Sequence, residues 1–347
     1  MHFDLFHELA MPPALGRSEA QAVDDWLQEL MLADNLGFRC AWLVEHHFTR
    51  HYSHSSAPDL LLAAAAMRTR RLRLGLGVIP LPHHHPVRVA ERVATLDVLS
   101  HGRLEVGIGR GFAPQEYRVF GAPMEESRAR TEAGLAVLRA SFARGPVTLA
   151  DGTQVDILPK PLQAAPPLWA AAVSPESFHW AAGQQLNLLA GPFKPWFMTR
   201  ADIAAYRAAW QGDEPPAIGM TLGVFCLPDG RRARRLAAPA FEWFYGELLR
   251  VTLPVLERLY PSYEHFRELG RFRHLLRLGV DLAVLRRFGM AVVGSPAECI
   301  DRLSSLAEAG VTHVLCAVGA GAMPTELTRE SLQVLASEVI PALQRDD

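Results

Sequence analysis

One local pattern constrains this chain more than any other. A short, almost wholly apolar run ends in polar or glycine-rich residues, and a stretch with helical spacing follows. Runs of this kind are how strands buried on both faces of a parallel sheet read, and parallel neighbours need a helical crossover between them. Residues 2–9, 38–44, 72–81 and 103–108 read as the first four strands. The stretches 18–37, 58–69 and 86–99 are the helices between them, and 124–143 is a long fourth helix. In 18–37, Ala22, Trp26, Leu27, Leu30, Met31 and Leu36 share one face, and Gly37 stops the helix. Strands at 168–173, 186–189, 218–226 and 312–318 continue the alternation, with helices at 175–183, 199–211, 295–310 and 326–344. Eight strands in one register of βα units predict an α/β fold, a (β/α)8 TIM barrel with insertions, as a single domain over residues 1–347.

Two segments break the rhythm. Residues 147–160 predict a hairpin excursion turning at Asp151-Gly152. Residues 230–290, rich in Arg, Leu and aromatics, predict a mainly helical insertion with no clear strand. It reads as a lid or a dimer contact, with Trp243 beside the substrate.

Bulk properties narrow the function classes. Hydrophobic residues make up 49% and charged residues 21%, and the net charge is −2, so nothing points to nucleic acid or an anionic membrane as partner. Cys40, Cys226, Cys299 and Cys316 form no CxxC pair, which suits buried, reduced thiols and a cytoplasmic location. The start, Met1-His2-Phe3-Asp4, lacks the features of a signal peptide, and no apolar run approaches the roughly 18 residues of a membrane span.

In a barrel of this class chemistry sits at the C-terminal tips of the strands. The second strand runs Ala41-Trp42-Leu43-Val44 straight into Glu45-His46-His47. The third ends Gly75-Leu76-Gly77-Val78-Ile79-Pro80, whose minimal side chains let a flat ring approach the backbone. The fourth ends Gly109-Arg110-Gly111, with an arginine for an anion. Ser174-Pro175-Glu176-Ser177 follows the fifth, at a helix N-terminus that favours phosphate. Each feature has a plainer reading taken alone: His46 and His47 as strand punctuation, Ser174 as a helix cap, Arg110 as a surface partner of Glu116, the glycines as relief of crowding. The agreement of four strand ends favours function. Neither His83-His84-His85 nor Glu45-His46-His47 with His51 and His54 forms the HExxH pattern of a zinc helix, since Phe48 follows His47 in the one pair spaced i, i+4, so no metal is expected. Gly107-Ile108-Gly109-Arg110-Gly111 lacks the spacing of a dinucleotide fingerprint.

Glu45-His46-His47-Phe48-Thr49, the block from Ala90-Glu91-Arg92 through Leu96-Asp97-Val98-Leu99-Ser100-His101-Gly102-Arg103, Gly107-Ile108-Gly109-Arg110-Gly111, Arg118-Val119-Phe120-Gly121 and Met124-Glu125-Glu126-Ser127-Arg128 occur in the order seen in one family. The chain resembles the bacterial luciferase-like flavin monooxygenases, the luciferase α-subunit in particular, over nearly its whole length. The resemblance implies a two-component enzyme. A separate flavin reductase, a transient partner, would supply reduced FMN, and O2 would deliver one oxygen atom to a small organic substrate through a flavin hydroperoxide. Carried over residue by residue, it makes His46 catalytic. Arg110, Arg128 and Ser177 would lie at the FMN phosphate, with Glu176 contacting flavin mainly through backbone. A non-prolyl cis peptide at Gly77-Val78 would lie beside the flavin ring, and Glu45 and His47 would act as supports. It also implies a dimer. Trp180 departs from the family, replacing a phosphate-site threonine, and Gly109 stands where some luciferases have a reactive cysteine. Two alternatives stay open: a deazaflavin-dependent oxidoreductase, and a non-catalytic flavin-binding or luciferase β-like subunit.

Overall fold

The structure is a computed structural model that describes residues 1–143, 145–259 and 280–344. Its first strand, β1 (His2–His7), pairs in parallel with β2 (Cys40–Leu43), and β2 with β3 (Arg73–Pro80). The sheet continues through β4 (Leu104–Gly109) to the two-stranded side ribbon β5 (Val147–Thr148) and β6 (Gln154–Val155), which stands outside it as an antiparallel pair. It resumes at β7 (Leu168–Ala172), β8 (Asn187–Ala190) and β9 (Ile218–Cys226). A short strand, β10 (Ala291–Gly294), pairs in parallel with the last four residues of β9. The final strand, β11 (His313–Ala317), pairs with both β9 and β1 and so closes an eight-stranded parallel barrel, the TIM barrel expected from the sequence.

Local chemistry sets the helix boundaries. Ser18 and Gln21 form a capping box ahead of helix α1 (Glu19–Leu36), and Ser295 and Glu298 do the same before the helix Pro296–Glu308. Proline takes the first turn of helices α2 (Pro58–Ala66) and α3 (Pro86–Leu99), where its missing N–H costs nothing.

Several expectations need correction. The helix expected at 124–143 is a 3-10 turn, Met124–Glu126, running into helix α5 (Ser127–Phe142). It is preceded by an unexpected short helix α4 (Pro114–Val119), from which Gly121 (φ +68°) and Pro123 separate it. The C-terminal helix is interrupted by a π turn, Leu335–Val339, between Thr325–Val334 and Ile340–Leu343. Pro341, with no N–H to give, lies just beyond that turn. β10 was missed because four residues, Ala-Val-Val-Gly, carry no readable periodicity. Beyond helix α7 (Trp196–Ala209), the segment 230–290 contains helix α8 (Gly230–Leu259) and the helix Leu282–Arg287, while residues 260–279 lie outside the described residues.

What fills the barrel decides where a site can exist. Toward the N-terminal end, the buried carboxylates of Asp4 and Glu105 are joined in an ionic chain by the half-buried Arg39, 3.3 Å from Asp4 and 2.5 Å from Glu105. Trp42 Nε1 donates to Asp4 at 2.8 Å and Trp169 Nε1 to Glu105 at 2.7 Å, and the two indoles meet edge to face. Burial, opposed mainly by Arg39, pushes the Asp4 carboxyl up to about 6. With this plug at one end, the large cavity among the described residues opens at the other.

The plug also explains two glycines. A Cβ on Gly75 would fall 2.3 Å from the Trp42 ring, and one on Gly107 2.4 Å from the Leu76 carbonyl oxygen. Both are there for packing, so the expectation that Gly75 makes room for a flat ligand is corrected.

Candidate active site

A cavity of about 540 Å³ opens over the C-terminal ends of the strands. Its size is that of a typical cofactor or substrate pocket. The structure gathers Glu45, His46, Gly77, Val78, Arg110, Arg128, Glu176 and Ser177 around it. His47 and Trp243 do not line it. The His47 ring turns outward against Phe120 and Phe48, with Nε2 3.2 Å from Glu45. Trp243, expected beside the substrate, packs partly buried against the core; Phe244 and Leu248 are the residues of α8 that reach the cavity. The helix turn explains the swap, because a one-residue step rotates a side chain by about 100°.

His46 is held by backbone and by charge. Its N–H donates to the Ser55 carbonyl at 3.0 Å, which anchors the residue beyond the end of β2. Two buried carboxylates flank the ring: Glu8 lies 3.8 Å from Nε2 and Glu116 3.9 Å from Nδ1. Tyr52 donates to the other oxygen of Glu8 at 2.7 Å. Glu116 also accepts the His47 backbone N–H at 3.0 Å and lies 3.6 Å from His83. Glu116 is therefore a buried organiser of the site rather than a surface partner of Arg110, whose Nε donates to Ser127 Oγ at 3.1 Å.

The electrostatics follow from this clamp. Burial alone would depress the His46 pKa, but Glu116, Glu8 and Glu45 outweigh it and raise it above the ordinary 6.5. Burial would raise Glu116, yet His46, His83 and the His47 N–H overcome it and bring the carboxyl from 4.5 down to about 2. Glu45 is likewise depressed: bonds from His47 and His84, the latter at 2.5 Å, overcome its burial. Glu8 has only the reverse balance, and burial raises it.

The His46–Glu116 pair gives a pH prediction. The raised His46 pKa contributes stability that is present below about 6.5 and lost as pH rises through the folded-state value. The depressed Glu116 contributes stability present above 4.5 and lost as pH falls toward 2. Both contributions are in force between these limits. In Glu116→Gln, the His46 midpoint followed by imidazole NMR should fall toward or below its ordinary value. An unchanged midpoint would show that Glu116 does not govern the imidazole.

The opposite end of the cavity is cationic and dipolar. Arg110 and Arg128 sit there beside the N-terminus of helix α6 (Pro175–Gly183). The Arg128 guanidinium stacks over the Trp180 ring at 4.5 Å, and Trp180 Nε1 donates to Glu132 at 2.9 Å. Trp180, the departure from the family pattern, thus supports an arginine by cation–π contact. Ser177 Oγ donates to the Ser174 carbonyl at 2.6 Å and accepts the N–H groups of Val173 and Ser174 at 3.0 Å. Its hydroxyl shapes the turn, and the hydrogen it carries is already committed.

Between the two ends the wall is nearly bare. Gly77 and Gly109 both line it, and the Gly77-Val78 peptide is cis. A Cβ on Gly109 would come within 2.7 Å of Val78. A cationic end, a smooth wall and a histidine at the far end fit a flavin mononucleotide. Among the described residues, no three His, Cys, Asp or Glu side chains converge as a metal site, His83–His85 included.

Three residues of the cluster around His46 had no part in the site as read from the sequence, although Glu116 and His83 were weighed in other roles. Glu8 carried a signal, as a carboxylate closing an apolar strand run. Glu116 and His83 carried none, since one lies in an unexpected helix and the other in a histidine-rich loop.

The family model described as luciferase-like monooxygenase matches residues 1–313. The alkanal monooxygenase alpha chain of Photorhabdus luminescens is 27% identical, with 99% of this chain and 97% of that one aligned. The solved structure of monooxygenase RslO1 from Streptomyces bottropensis superposes with a TM-score of 0.81 at 28% identity, covering 99% of this chain and all of that one. The oxygenating constituent of 3,6-diketocamphane monooxygenase from Pseudomonas putida, solved with FMN, shares the fold at a TM-score of 0.80 and 22% identity, with 98% of each chain covered. An F420-dependent secondary alcohol dehydrogenase shares it more distantly, at a TM-score of 0.70 and 19% identity over 99% of each chain. With the barrel, the open C-terminal cavity and the match over most of its length in agreement, this chain is an enzyme of the luciferase-like monooxygenase family.

Proposed function

We propose that this enzyme binds reduced FMN delivered by a separate flavin reductase and, with O2, inserts one oxygen atom into a small, largely apolar organic substrate. The observation that carries this reading is the polarity of a single cavity. Two arginines and a helix N-terminus stand at one end, a carboxylate-clamped histidine at the other, and a glycine wall runs between them. Reduced FMN, when bound, supplies the electrons that activate O2.

The protein's own part is binding, orientation, water exclusion and proton control. Arg110 and Arg128 provide charge-assisted hydrogen bonds for a phosphate, and the N-terminal end of α6 adds its dipole and the Glu176 backbone N–H. Gly77 and Gly109 let a planar ring lie close to the strands. His46 holds a proton at Nε2, the nitrogen facing Glu8, and gives or takes it as the oxygen chemistry proceeds. Phe112, Phe193, Phe244 and Leu248 line the remaining space and keep water away from it.

The test is reconstitution of the apoprotein with reduced FMN and, in parallel, with reduced deazaflavin. Tight binding and substrate oxygenation with reduced FMN alone are expected. Hydride transfer with deazaflavin and none with FMN would replace this reading with an oxidoreductase. Binding without turnover for either would make the chain a non-catalytic flavin-binding subunit.

A further inference from the structure

A second, smaller cavity lies behind Glu8. It has about 70 Å³ of space open to water-sized molecules and shares Phe6, Glu8 and Phe244 with the main cavity. Its walls come from the end of β1, from α1 and its approach, and from the Gly319–Gly321 turn.

Its lining is unusual in chemistry. His7 Nε2, Trp26 Nε1, Arg17 Nε and Glu8 Oε2 are all buried, all belong to residues on its wall, and none has a hydrogen-bond partner among the described residues. Buried polar atoms are seldom left unpaired, and an orphan cluster around a space of this size marks bound water. A water needs roughly 10–15 Å³ by this measure, so the space has room for a short chain of them. Beyond the orphans, Glu29 Oε1 lies 3.9 Å from His7 Nδ1, and its side chain is 18% exposed. The groups facing Glu29 are His7 from β1, Arg17 just ahead of α1, Asp25 within α1, and Arg329 from the C-terminal helix. Those facing Glu8 are His46 and Tyr52.

We propose that this side cavity is a hydrated proton conduit joining Glu8, and through it His46, to solvent at Glu29. Glu29 gives up its proton and the O–H bond breaks. A hydrogen-bonded water chain ordered by the Trp26 and Arg17 N–H groups and by His7 passes a proton on. Glu8 Oε2 receives one and delivers one to His46 Nε2, and solvent reprotonates Glu29. No electron moves. Burial holds Glu29 at about 7 despite Arg17 and Arg329, which suits a group that loads and unloads near neutrality. Burial also keeps the His7 imidazole neutral, at about 4, so one ring nitrogen can accept while the other donates. The role for His46 rests on the function proposed above; the hydrated path does not.

The test begins with hydrogen–deuterium exchange of indole N–H groups in the whole protein by NMR. Trp42 and Trp169 are internal controls, since both are bonded to buried carboxylates. Trp26 should exchange roughly ten- to a hundredfold faster than either, the difference expected for releasing a hydrogen bond to a charged group. Glu29→Gln should slow Trp26 alone, and Glu29→Asp should restore it. Exchange of Trp26 as slow as that of Trp42, or fast exchange indifferent to Glu29→Gln, overturns the conduit whatever the main site catalyses. In turnover, Glu29→Gln should lower kcat roughly tenfold, below the full worth of a positioned acid, with flavin binding and KM unchanged and a larger solvent deuterium isotope effect. Slowed exchange with unaltered kcat overturns delivery to His46. An inactive wild type would instead refute the proposed function, and the exchange arm would still decide the conduit.

Discussion

His46→Ala should cut product formation by about two to four orders of magnitude, the usual contribution of a positioned acid or base, while flavin affinity stays within a few-fold of the native value. The asymmetry follows from the cavity. His46 sits at the Glu8 and Glu116 end, whereas Arg110, Arg128 and the α6 N-terminus form the end suited to phosphate. Loss of the ring removes the proton carrier without touching the anion seat. Reduced flavin bound by the variant should then be reoxidised without coupling, and hydrogen peroxide should accumulate in place of product. Flavin titration and a coupled peroxide assay separate the two effects. Full product yield from His46→Ala would end the case for this residue, and lost flavin binding would show that it anchors the cofactor instead.

At the other end of the barrel, Glu105→Ala should destabilise the fold by about 3–5 kcal/mol, read from the midpoint of urea unfolding. Glu105 is fully buried and accepts from Arg39 at 2.5 Å, Arg73 at 2.6 Å and Trp169 Nε1 at 2.7 Å. Its removal leaves Arg39, Arg73 and the Trp169 indole N–H each short of a partner, and the indole is buried from water. The comparison is Glu91→Ala, which breaks only a surface pair with Arg88 and should cost about 1 kcal/mol or less. Equal effects from the two variants would mean that the ionic chain at the base of the barrel carries no special share of stability. Flavin binding by folded Glu105→Ala should be close to native, because Trp42 and Trp169 separate the plug from the cavity.

Much of this architecture was readable along the chain. The apolar runs of the eight barrel strands had a length and composition suited to burial, and helices α1, α2, α3 and Pro296–Glu308 each carried a cap or a proline at the start. The strand tips were legible because barrel topology brings every one of them to a single rim. His46, Arg110 and Ser177 could therefore be named together from one dimension, and the ordered family motifs sharpened their roles.

Tertiary structure decided what those residues meet. Glu8 is 38 positions from His46 and Glu116 is 70 positions away, and no local pattern records that they close on one imidazole. Whether a glycine packs or lines a cavity depends on the Trp42 ring from a neighbouring strand, so Gly75 and Gly77 look alike in sequence and differ in space. Trp243 and Phe244 exchange places for the same reason, since the face that an inserted helix presents is set by what it packs against. The sequence alone determined the barrel and its reactive rim, because local periodicity and strand ends are encoded in consecutive residues. Only the folded chain decided which carboxylates are buried together, because desolvation and charge pairing are properties of neighbours in space.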